Sequence, residues 1–229
     1  MTEPRSQYLF HYTPKFEFLQ SSLRHGFWPR YCEEDYSALF QEPGQRFWLA
    51  FPVVCFTDIP PAAAMDHMDR YGMYAIQLSK DYASHADPQS MLYVLAGSRI
   101  AAHFKDQILA NGRRPTSPDA IANPLFRLLP FVKLTPGSQR SRNDREAWEV
   151  QAFEDEMEWR YLAEVPELPV VADYGTAGFV KEHDNEKSRS HPLAVAQKYI
   201  EAVFVLTCDE LALLQTEFPG LNGKIQVRT

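Results

Sequence analysis

The chain has 229 residues, of which 45% are hydrophobic and 13% aromatic, enough apolar surface to bury roughly 70% of its area without help from a metal or disulfide. A formal charge of −7 argues against a broad basic face for duplex nucleic acid, since phosphate binding needs clustered Lys and Arg, but it leaves room for a local basic groove. Cys32, Cys55 and Cys208 are odd in number and far apart, which argues against a disulfide framework or a zinc site. With no apolar leader and no spanning stretch, the expectation is a cytoplasmic protein with no membrane segment and no metal.

YLFHYT (8–13) has strand composition, and Pro14 suits the first turn of a helix through FEFLQSSLRH, closed by Gly26. Phe16, Leu19 and Leu23 recur at helical spacing and give that helix one apolar face against the strand. Residues 28–46 read as irregular, whereas FWLAFPVVCFTDI (47–59) returns to strand composition, with Pro52 marking a bulge or edge. AAAMDHMDRYG (62–72) reads as a short helix stopped by Gly72, and MYAIQLS (73–79) as a strand with Tyr74, Ile76 and Leu78 on one face. MLYVLA (91–96) is a further strand, followed by the helix SRIAAHFKDQILANG (98–112) with Ser98 as N-cap and Gly112 as its stop. NPLFRLLPFVKL (123–134) starts as a helix. TPGSQRSRNDRE (135–146), with Arg140, Arg142 and Arg145, reads as an exposed loop, as does 172–192. A strand over 199–207, a helix from Asp209 and a last strand KIQVR complete the chain.

Three places concentrate polar chemistry. In the first strand His11 and Thr13 share a face with Leu9, while Tyr8, Phe10 and Tyr12 take the other. If that face borders a cleft, His11 donates to a ribose hydroxyl and the backbone near Tyr12 holds an amide; the plainer alternative is a satisfied histidine at a strand end. In VVCFTDIP, Thr57 either bonds a ligand or orients an acid, and Asp58 fits the cap of the following turn. In EDEMEWRYL, strand geometry projects Glu154, Glu156, Glu158 and Arg160 from one face, and carboxylates so crowded need Arg160, solvent or a cationic transition state beside them. Helix geometry instead makes Glu156 and Arg160 a surface pair. Loop followed by strand is the preferred reading.

The stretch from His11 to Phe27 resembles the opening of poly-ADP-ribose polymerases and DarT-like enzymes, which begin His-x-Ser/Thr, helix, Gly-Leu/Phe. CFTDIP, HMDRYGMYAIQLSK and the late EMEWRYL are similar to the AbiGi family of bacterial abortive phage-infection proteins, usually described as antitoxins. The first resemblance implies an ADP-ribosyltransferase-like α+β domain over residues 1–229, with mixed, mainly antiparallel split sheets and flanking helices. It implies NAD in a cleft lined by His11, Tyr12 and Thr13, with Thr57, Arg160 and either Tyr71 or Tyr74 as further contacts. Glu156 or Glu158, with His11, would carry the chemistry, because breaking the nicotinamide–ribose bond develops positive charge that a fixed carboxylate stabilises. Tyr12 stands where the polymerase-like pattern has Gly. The implied acceptor is a nucleic acid or protein. The second resemblance implies a non-enzymatic antitoxin or sensor that restrains a toxin, its acidity masking a basic surface.

Overall fold

The computed structural model describes residues 6–40, 47–109, 124–140, 148–163 and 181–228. They form an α+β structure whose main element is an eight-stranded, mainly antiparallel sheet. The strands that matter for the site are β1 (Tyr8–Thr13), β2 (Arg30–Asp35), β3 (Trp48–Thr57) and β4 (Tyr74–Ser79). To these the chain adds β5 (Gln89–Ser90), a parallel pair of β6 (Leu92–Leu95) with β7 (Val132–Thr135), and a hairpin of β8 (Gly137–Arg140) with β9 (Trp148–Gln151). The later sheet strands are β10 (Glu158–Leu162), β11 (Ile200–Val205) and β12 (Ile225–Val227). The order across the sheet is β12-β11-β4-β1-β3-β10-β5, and β2 also pairs with β3.

The pairing partners reveal a fork. Val53 of β3 pairs with Leu162 of β10 on one side, so Arg30 of β2 must occupy its other side. Thr57 pairs likewise with Glu158 and with Phe10 of β1. β1 and β2 therefore share one edge of β3, β2 over Trp48–Val53 and β1 at Thr57, and they diverge along Val54–Phe56.

Alternation along the strands separates one apolar cluster on one face of the sheet from two on the other. Leu9, Val54, Phe56, Ile76, Leu78 and Val203 face α1 (Phe16–His25) and a C-terminal helix, Cys208–Glu217. On the other face, α2 (Ser37–Phe40) packs with Phe51, Val53, Leu162, β6, β7 and the helix Arg99–Ile108, and α3 (Met65–Tyr71) sets Met68, with Ala64 just before it, against Phe10, Tyr12 and Ala75. Gly72 ends α3 at φ +111°, and a Cβ there would stand 2.3 Å from the Pro14 backbone. Only glycine lets α3 close so tightly on the end of β1.

The expected elements at 8–13, 16–25, 62–72, 73–79 and 199–207 are all present, and Ser98 accepts the Ala101 N–H as an N-cap. Gly112 lies outside the described residues, as do Arg142 and Arg145. Several expectations need correction. Residues 28–46 are not irregular throughout: they contain β2 and a helical turn, Ser37–Phe40. Pro52 makes no bulge but does mark an edge: it pairs with Tyr31 of β2, whereas among the described residues the β10 ladder ends one residue away at Val53. Its carbonyl accepts from Ala163 just past the end of β10, so its missing N–H falls where that ladder stops. Part of the 135–146 loop is β8, and 172–192 contains the helix Lys181–Ser188. Phe126–Phe131 is a 3-10 helix with Pro130 inside it.

The C-terminal helix shows how local chemistry fixes a boundary. Thr207 Oγ1 accepts the Glu210 N–H at 3.2 Å and Glu210 accepts the Thr207 N–H at 3.1 Å, a reciprocal cap. Thr207→Ala is expected to cost about 1 kcal/mol and to lower the melting temperature by about 2–4 °C. Thermal melts followed by circular dichroism check this, and an unchanged midpoint would contradict it.

Candidate functional site

A cavity of about 580 Å³ opens at the fork, within the size range of small-molecule sites. Its lining includes Val53 to Phe56, the stretch of β3 from which β1 and β2 part. His11 and Thr13 border it from β1, Tyr31 and Glu34 from β2, Glu158 and Arg160 from β10. His67 and Tyr71 reach it from α3, and Trp28, Arg30 and Arg189 complete other parts of the wall.

The histidine at a strand position now has a physical reason. Where β1 leaves β3, the Cys55 carbonyl loses its strand partner, and His11 Nδ1 lies 3.0 Å from that oxygen. The imidazole thus replaces a ladder bond at the fork, with its ring packed on Phe27 and Phe56 at 4.5 and 5.7 Å. Burial lowers its pKa from 6.5 to about 4, against the bond to Cys55, so it is neutral at pH 7. The ring is thus a satisfied histidine that also borders the cavity, and with its one N–H given to Cys55 its other nitrogen is an acceptor and not the donor expected.

Deep in the cavity, β10 and its neighbours assemble a buried charge network. Arg160 has 0% exposure: its Nε donates to Glu158 Oε1 at 2.6 Å, Nη2 to Glu158 Oε2 at 3.1 Å, and Nη1 to the Pro130 carbonyl at 3.1 Å. Nη2 also pairs with Glu34. Lys133, from β7, lies 2.8 Å from Glu156 Oε2 and 3.0 Å from Glu158 Oε2, with its ammonium 4.2 Å from the Phe153 ring centre. Glu156 Oε1 accepts from Arg70 at 3.2 Å and from the Tyr71 hydroxyl at 2.9 Å. Three carboxylates and three cations thus balance. Burial pushes the Glu158 carboxyl up, but Arg160 and Lys133 outweigh it and hold the group well below its ordinary 4.5. Burial likewise works against the charged Lys133, and Glu158, Glu34 and Glu156 keep it protonated. Burial and the neighbouring Glu156 raise the Tyr71 phenol, so it stays a donor.

Residue by residue, the sequence expectations divide. His11, Tyr12, Thr13, Tyr71, Glu156, Glu158 and Arg160 all line the cavity. Thr57 is fully buried and donates to the Glu156 carbonyl at 2.7 Å, so it holds the turn that presents Glu156. Tyr74 is outside the lining, donating to Glu210 at 2.7 Å on the α1 face of the sheet. The common face expected for Glu154, Glu156 and Glu158 is broken, because Phe153–Glu156 is a 3-10 turn and Met157 has φ +43°. Glu154 is left exposed and accepts from Thr135, while Glu158 and Arg160 share a strand face as expected. Asp58 does not cap a turn; it pairs with Lys80 at 3.3 Å.

Sequence reasoning missed Glu34, Arg70, His67 and Lys133. A signal existed for Lys133, a lone cation in the otherwise apolar FVKL run, and a charge in such a run asks for partners. Among the described residues no group of three or more His, Cys, Asp or Glu could hold a metal ion, and no helix is long and apolar enough to cross a membrane.

Fold and site together define an α+β protein with a forked sheet, a ligand-sized cavity at the fork and a charge-balanced floor. The family model described as "Putative abortive phage resistance protein AbiGi, antitoxin" matches residues 25–205, and the chain belongs to that family. The match takes in every member of the charge network and leaves β1, with His11 and Thr13, outside it. No curated protein and no solved structure matches the chain.

Proposed function

We propose that the chain is a phage-defence protein of antitoxin type that binds NAD in the forked cavity without cleaving it and restrains a partner toxin. The family description supports the antitoxin part. The cavity supports the ligand: aromatic walls for rings at Trp28, Tyr31 and Tyr71, guanidinium groups for a pyrophosphate at Arg30 and Arg189, and a neutral imidazole for a ribose hydroxyl. The observation that carries the absence of cleavage is the occupied floor. All four carboxylate oxygens of Glu156 and Glu158 already bond a cation or the Tyr71 hydroxyl, so the floor offers no surplus negative charge to a developing oxocarbenium ion.

A second reading, an ADP-ribosyltransferase on this scaffold, is favoured by His11, Thr13 and an ionised Glu158 lining one cavity. There the C1′–N bond would break with its electron pair leaving on nicotinamide, and an acceptor nucleophile would add to C1′ and lose its proton. One experiment separates the two. NAD at a hundred times its dissociation constant is expected to stabilise the protein by about 2.7 kcal/mol, raising the melting temperature by roughly 5–10 °C, with no nicotinamide released. Release of nicotinamide would overturn the absence of cleavage, ADP-ribose recovered on an acceptor and not free would establish the transferase reading, and an absent thermal shift at millimolar NAD would remove both. For the antitoxin part, co-expression with the product of the adjoining gene should yield a complex and relieve that product's toxicity; a growth defect unchanged by this chain would count against it.

A further inference from the structure

Lys133 occupies a position that a binding site alone does not require. Its ammonium stands within 3.0 Å of one oxygen from each of Glu156 and Glu158, and all three side chains line the cavity. The oxygens it covers are Oε2 of both residues, that of Glu158 shared with Arg160; the Oε1 atoms are engaged by Arg70, Tyr71 and Arg160. Lys133 therefore closes the last open face of Glu156 and shares Glu158 Oε2 with Arg160 Nη2. It also sets the charge balance: Glu34, Glu156 and Glu158 against Arg70, Lys133 and Arg160. Without the ammonium, the floor carries one net negative charge and bares Glu156 Oε2 to the ligand, while Glu158 Oε2 keeps its bond to Arg160 Nη2.

We propose that Lys133 is an electrostatic lock, whose ammonium between Glu156 and Glu158 keeps this cavity from cleaving the NAD it binds. The inference rests on the reading that NAD occupies the cavity. With the lock removed, the C1′–N bond breaks and its electron pair leaves on nicotinamide, while the freed Glu156 carboxylate stabilises the ribosyl cation. Water adds its oxygen to C1′ and passes a proton to a carboxylate and then to solvent. The products are nicotinamide, ADP-ribose and one proton.

Nicotinamide release from NAD by the full chain tests this. Lys133→Met keeps an unbranched stem as far as Cε and removes the ammonium, and is expected to release nicotinamide at least tenfold faster than the wild type. Arg70→Gln removes a charge from Glu156 at a position whose side chain is 27% exposed, so it tolerates substitution, and a smaller increase is expected. The double variant Lys133→Met/Glu156→Gln restores neutrality and should fall back to the wild-type rate, which a merely structural role for Lys133 does not predict. Variants that fold and are thermally shifted by NAD yet release nothing would overturn the lock; so would a double variant as fast as the single. If Lys133→Met does not fold, Arg70→Gln decides. A wild type that NAD does not shift overturns the ligand reading itself, and is seen before any variant is made.

Discussion

Arg160→Met is expected to cost about 3–5 kcal/mol, as breaking a buried pair by removing one partner does, a large part of a typical total of about 5–15 kcal/mol. The reason lies in what remains. Glu158 loses two of its three charge-assisted bonds and Glu34 loses its guanidinium partner, while both stay buried. Lys133 and Arg70 then face three carboxylates, two of them bonded to Lys133. Urea denaturation at pH 7 should show a lower midpoint with an unchanged slope. The pH dependence adds a second readout. The folded-state pKa of Glu158 lies below its ordinary 4.5, so its contribution is fully present above that value and is lost as pH falls below it. In Arg160→Met most of that acid-sensitive contribution should already be gone. A loss under about 1 kcal/mol would mean that the network is solvated and weak, as surface pairs are.

His11→Leu is expected to alter the pH profile more than the stability at neutral pH. In the wild type the imidazole pKa is lowered from 6.5 to about 4, so the unfolded chain binds its proton first as pH falls. Stability from this residue is present above pH 6.5 and is lost as pH drops through about 4. The full shift corresponds to about 3 kcal/mol at 1.36 kcal/mol per unit, reduced to about 2 kcal/mol because the ring is partly exposed to the cavity. Leucine removes the bond to Cys55, at about 1 kcal/mol, and also removes the titration. Denaturation midpoints measured from pH 7.5 to 4 should therefore decline steeply for the wild type and little for the variant between 6.5 and 4. Parallel profiles would show that the ring titrates freely and does not substitute for a strand at the fork.

How much of this was readable beforehand depended on whether the cause was local. β1 and α1 followed from alternation and Gly26, which act within a few residues, although Pro14 stands just before the N-cap Lys15 and not in the first turn. β2 did not, because RYCEED carries its acids at strand positions and Glu34 is buried only by reaching Arg160 across the sheet. The helix Lys181–Ser188 has no apolar stripe to find. It is held by Asn185, which accepts from the Tyr31 N–H, and by Ser188, which donates to the Pro29 carbonyl. At the site, the shared face of Glu158 and Arg160 was visible in the period of the strand. The 3-10 turn that separates Glu154 from Glu156 was not, since it depends on Thr57 holding the Glu156 carbonyl from another strand. Lys133 arrives from the β6–β7 pair, and no spacing along the chain announces that encounter.

The place of β1 in the sheet has a practical corollary for anyone trimming the gene. Tyr8–Thr13 lies between β4 and β3, near the middle of the eight strands. A fragment started at residue 25, where the family match begins, would leave those two strands roughly 10 Å apart, twice the interstrand spacing, with a row of unsatisfied amides on each bank. Such a fragment should be recovered as aggregate, and supplying the missing peptide separately would be the natural attempt at rescue.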